Sequence, residues 1–154
     1  MRDSSTRVWI YIGAAIFLVA LVVSAILVPE LRLLHFFQAL IYVAVIVLAR
    51  RNSAWGFGAG FTIGIVWNGF GLFVTHLIQV GAVTFWYWLR TGRVEQFVPM
   101  TVTFGAAGHF ILIVASLWAI LSQKTENRKW WKFAGGGAIA VAYFALIVAF
   151  ARPR

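Results

Sequence analysis

Residues 54–80 read AWGFGAGFTIGIVWNGFGLFVTHLIQV, 27 residues without a charge. At about 100° per residue, Gly60, Gly64, Asn68, Gly71, Thr75 and Gln79 fall on one side of a helix. In water that would be a poor face to bury. In lipid, small residues let a second backbone approach closely, and a polar side chain deep in the bilayer has to find a partner. The stretch therefore reads as a transmembrane helix packed inward through Gly60, Gly64 and Gly71, with Trp67 and Asn68 near the bilayer centre.

The rest of the chain agrees. Of 154 residues, 62% are hydrophobic and 11% charged, a composition foreign to water-soluble domains. Five apolar runs span residues 8–28, 33–49, 54–80, 97–122 and 131–151, the last broken only by Lys132. Crossing roughly 30 Å of hydrocarbon takes about 20 residues in a helix. Four runs meet that; the second, with 17, also fits a re-entrant segment. Five spans leave only short loops, so residues 1–154 read as a single all-α membrane domain. Pro29-Glu30 separates the first two runs, because proline removes a donor and starts a new element. The first run is longer than a secretion-signal core, no small-residue cleavage site follows it, and it reads as a span.

From Ala54 to Leu89 there are 36 uncharged residues, about 54 Å of helix. One span does not use that length. The expected solution is a span ending near Val80, followed by a short interfacial helix over residues 82–90, with Phe85, Trp86, Tyr87 and Trp88 at headgroup level.

A formal charge of +9 invites a nucleic-acid reading, but the basic residues sit between the runs. Loop-confined cations orient a membrane protein and hold it to anionic headgroups. With the N-terminus inside, inner loops hold eight Lys/Arg and outer ones five, out of 13, which favours a cytoplasmic N-terminus and an external C-terminus. The partners expected are the lipid bilayer, including its anionic headgroups, and other membrane subunits or further copies of the chain; nucleic acid is not among them. The absence of cysteine removes disulfides and thiolate metal sites. Most of the eight tryptophans mark run ends, as an aromatic belt does, and Trp67 is the exception.

Small and polar faces recur. His35, Gln38, Tyr42 and Ala49 align in the second run; Thr101, Gly105, Gly108, Ser116 and Ala119 align in the fourth. In the fifth, Ala134, Gly135, Ala138, Ala142, Ala145 and Ala149 make a seam of small residues. The first run offers little beyond Gly13, Ala14 and Ser24 and reads as the most lipid-exposed.

All three histidines lie within runs, where ionisable residues are functional candidates. Counted from run centres, His35 and His76 lie about 10 and 13 Å toward the same membrane face. His109 lies near the midplane, level with Asn68. Two imidazoles at matching depth on different helices suit a b-type haem or another ring cofactor, with Gln38 and Gln79 as orienting partners. The bland alternative gives His35 and His76 to headgroups or interhelical hydrogen bonds. For Trp67, Asn68 and His109 the plain expectation is a midplane hydrogen bond, and the sharper one a proton or substrate relay. No Asp or Glu occurs inside any run, and no nucleophile elbow, metalloprotease helix or phosphate loop is found, so an enzyme is disfavoured. The leading expectation is a small integral subunit or scaffold packing through Gly/Ala seams. An electron-transfer subunit using His35 and His76 is second, and a small carrier or channel third.

Overall fold

The computed structural model describes residues 2–94, 96–123 and 129–151. Lys124, Arg128, Arg152 and Arg154, which enter the charge asymmetry, lie outside the described residues. The described chain is α1 (Arg2–Leu27), a 3-10 turn (Pro29–Leu31), α2 (Arg32–Arg50), α3 (Ala54–Phe73), α4 (Leu77–Thr91), α5 (Phe97–Ser122) and α6 (Trp130–Ala151). All but α4 are long and apolar enough to cross a membrane. At 15 residues, about 22 Å, α4 falls short of that thickness. Phe73, Val83 and Phe150 are among many large apolar side chains left exposed, as expected of a protein whose solvent is acyl chain.

Local chemistry sets the turns. Pro29 opens the 3-10 turn, and the Arg32 side chain donates back to the Ala25 carbonyl, which α1 leaves unpaired at its end. Between α2 and α3, Asn52 takes a left-handed conformation (φ 53°), and Gly56 lets α3 turn back tightly, since a Cβ there would meet Leu48 Cβ at 2.5 Å.

The third run is where the sequence expectation fails. Its helix does not reach Val80 but stops at Phe73, and His76 (φ 56°) sits in the left-handed region before α4 begins. No glycine or proline marks this break. Side chains make it instead: Thr75 Oγ1 donates to the Phe70 carbonyl at 3.5 Å, and Gln79 Nε2 to the Leu72 carbonyl at 2.6 Å. The Phe70 carbonyl also accepts from the Val74 and Thr75 amides at 3.0 Å, whereas Gln79 serves a carbonyl in the last turn that the ended helix leaves open. The last two members of the polar stripe are thus caps for α3 rather than contacts to another helix.

Packing rests on close backbone crossings. α1 packs most extensively on α5, where a Cβ on Gly13 would lie 2.8 Å from the Gly108 carbonyl oxygen, and one on Gly108 would lie 2.8 Å from that of Gly13. α3 and α6 approach in the same way, Gly58 against the Phe133 carbonyl and Gly136 against the Trp55 carbonyl. Gly60 and Gly64 face Ser116 and Ile113 of α5, while Gly71 faces Ile78 of α4. The first helix is therefore not the most lipid-exposed: Ile10, Ala14, Phe17 and Leu21 form a buried stripe along it. Phe17, beside Gly105 of α5, and the Gly13–Gly108 crossing pack this helix inward.

Substitutions at the crossings separate contact from propensity. Gly64→Leu and Gly136→Leu should each cost roughly 1–3 kcal/mol by overpacking. Gly69, where an added Cβ would have nothing within 4 Å, should accept alanine with no loss. Unfolding in mixed detergent micelles with rising SDS checks both, and equal stability of Gly64→Leu and wild type would place that face against lipid.

Candidate functional site

His109 is fully buried in the middle of α5. Gly105 and Gly108 beside it bring α1 close enough for the Phe17 ring to lie 4.0 Å, centroid to centroid, from the imidazole. Tyr42 of α2 donates its hydroxyl proton to His109 Nε2 at 2.6 Å. On the other side His109 Nδ1 donates to Asn68 Oδ1 of α3 at 3.1 Å. The Asn68 amide nitrogen in turn donates to the Ala106 carbonyl at 3.5 Å. That contact orients the amide with its oxygen toward the imidazole, so Nδ1 carries the proton and Nε2 accepts. The result is a neutral chain of donors and acceptors joining α2, α5 and α3.

Aromatic rings close the node. Phe17 lies 4.4 Å from Tyr42 and 5.6 Å from Trp67, and Trp67 lies 5.9 Å from His109. These spacings are those of paired aromatic rings. Four helices thus meet at one point, each contributing a ring or an amide.

Adjoining the node is a cavity of about 50 Å³ lined by Ser24, His35, Trp67, Asn68, Thr101 and His109, among others. His35 is 9% exposed, and its Nδ1 has no protein hydrogen-bond partner; neither has Gln38 Oε1, one turn further along α2. His76 is exposed at the α3–α4 break, with its Nδ1 3.3 Å from Gln79 Nε2.

The structure therefore groups the histidines differently from the depth argument. His35 shares its cavity with His109, and His76 does not line it. Depth counting assumes a steady 1.5 Å per residue along one helix. Beyond Phe73 that assumption ends, and His76 no longer belongs to the helix from which its depth was counted. Gln38 and Gln79 likewise sit apart in role, one buried on α2 and the other capping α3. No group of three or more metal-ligating side chains occurs among the described residues. Sequence reasoning misses Phe17 altogether and places Tyr42 on a face without a partner. The available signal was the tyrosine hydroxyl at the centre of the second run, since such a group seeks a partner in lipid.

No family model, curated protein or solved structure matches the chain.

The node is testable by a double-mutant cycle. Tyr42→Phe and Asn68→Ala each leave one His109 nitrogen without its partner, and each should cost about 1 kcal/mol. Because both act through one imidazole, the double variant should differ from the sum of the two losses. Strict additivity in SDS-driven unfolding would mean that the two bonds are independent.

Proposed function

We propose that the chain is a five-span integral membrane subunit that docks on a partner helix through the alanine face of α6. One observation carries this reading. The glycine crossings are consumed within the chain, whereas Ala134, Ala138, Ala142, Ala145 and Ala149 are all exposed on α6. The opposite side of the helix, with Gly136, Gly137 and Ala140, is buried, and both glycines lie against α3. Water is absent from the bilayer core, so helices associate there through contact rather than hydrophobic expulsion. A row of methyl groups lets a second backbone come close enough to make such contacts.

The orientation proposed has the N-terminus in the cytoplasm and the C-terminus outside. Arg7, Arg50 and Arg51 then lie at the inner surface, where the Arg7 guanidinium donates to the Arg50 carbonyl at 3.4 Å. Anionic headgroups meet this surface, and Lys132, 5.3 Å from the centre of the Trp131 ring, joins an aromatic anchor to a charge there. α4 rests in the interface at the outer surface. Its Phe85 and Trp88 rings pair at 5.5 Å, and Arg90 lies over the Trp86 ring at 4.8 Å.

Two measurements test this. A photo-crosslinking residue at Ala142 should give protein adducts in native membranes, while one at Val43, an exposed position on α2, should give lipid adducts. Lipid adducts alone at both positions would remove the docking face, and an adduct of doubled mass would identify the partner as a second copy. For orientation, Ser53→Cys should be shielded from an impermeant thiol reagent added outside intact cells, and Gln96→Cys should label. The reverse pattern would invert the protein.

A further inference from the structure

We infer that the cavity between His35 and His109 is a one-sided, water-filled pocket reaching the middle of the membrane from the surface that carries α4. This inference is independent of the alanine face of α6.

The first ground is an unpartnered polar group. His35 is buried and its ring lines the cavity, yet its Nδ1 has no protein partner. A buried polar atom left unpaired is costly, and inside proteins such atoms are met by ordered water when the site is polar and roomy enough. This site is both. Ser24 adds a hydroxyl from α1, and Thr101 Oγ1 of α5, which donates to the Val98 carbonyl, keeps lone pairs around the same space. A water needs at least roughly 10–15 Å³ of such volume, so about 50 Å³ has room for water. An apolar cavity that admits a benzene ring measures about 150 Å³, which sets water rather than an aromatic ligand as the occupant.

The second ground is direction. Ser24 lies in the last turn of α1, His35 in the first turn of α2, Thr101 near the start of α5, and Ile78 at the start of α4. All four belong to one end of the bundle. From Thr101 to His109 the pocket descends about 12 Å along α5. There it meets Asn68 and His109, whose hydrogen bonds are already committed to each other, to Tyr42 and to Ala106. Beyond them Val45, Phe57, Ile63, Leu112, Ala115 and Ser116 are all buried, and none of them lines the pocket. Water entering from the α4 surface therefore stops at the node, and the opposite half of the membrane stays dry.

Because the chain contains no cysteine, single cysteines report hydration directly. Ser24→Cys and Ala106→Cys would be reconstituted in vesicles alongside Ala115→Cys in the dry core and Val19→Cys on the lipid face. Silver ion is the probe, read as protection of the thiol from later maleimide labelling in SDS; Gln96→Cys identifies the vesicle surface that carries α4. Only a hydrated thiol ionises readily, so Ser24→Cys and Ala106→Cys should react at least about tenfold faster than the two controls when silver is added at the α4 surface. Rates equal to the controls, or equal rates from both surfaces, would overturn the pocket. The unsubstituted protein gives a second reading. In bilayers with ¹⁵N-labelled histidine, magnetisation from water should reach the His35 ring as well as the exposed His76 ring. Transfer to His35 from acyl chains alone would also overturn it.

Discussion

A histidine with both ring nitrogens engaged at the middle of a membrane ties together the helices that carry its partners. His109 meets Tyr42 at 2.6 Å and Asn68 at 3.1 Å, so each ring nitrogen has a partner on a different helix. Moving α2 or α3 away from α5 would strand a polar group in hydrocarbon. The fixed imidazole then offers its face to Phe17 of α1. Residues of four helices thus meet at this one side chain, and Gly105 and Gly108 let α1 approach it.

Those glycines divide the labour between two tight pairs. Gly13 and Gly108 join α1 to α5, and Gly58 and Gly136 join α3 to α6. In each pair a side chain as small as a methyl would collide with a backbone carbonyl, so contact is made by the backbones themselves. α3 bridges the pairs, turning Gly60 and Gly64 toward α5 and Gly58 toward α6. What remains unused after this packing is informative. The alanine row on α6 is left exposed by the chain's own packing, and the imidazole of His35 faces a space no side chain fills.

The two ends of the bundle consequently differ. Toward the α2–α3 turn the interior is mainly aliphatic and aromatic, built from Val45, Ala49, Phe57 and Leu112, with the hydroxyls of Thr6 and Ser116 among them. Toward α4 it holds Ser24, His35, Gln38 and Thr101. That asymmetry follows from the break at His76. By ending α3 at Phe73, Thr75 and Gln79 send α4 across the start of α5, where Gly81 sits on Pro99 and Thr103 instead of continuing a span.

By itself the sequence determined the class of solvent, the number of long helices and which residue types lie at the midplane. Charge-free runs about 20 residues long have few alternatives in a bilayer, and a 3.6-residue period places Gly60, Gly64 and Asn68 on one face whatever they meet. Only the tertiary structure decided the partners. Spacing cannot distinguish a glycine that receives a backbone from an alanine that faces lipid, so Gly136 and Ala138 look alike until α3 is in place. Nor does it show that Phe17 is buried, since Gly105, more than eighty residues away, makes its room. The break after Phe73 was hidden for a related reason. Thr75 and Gln79 carry the same helical spacing whether they cap a helix or line one, and for Gln79 which it does depends on whether the Leu72 carbonyl keeps its helical partner.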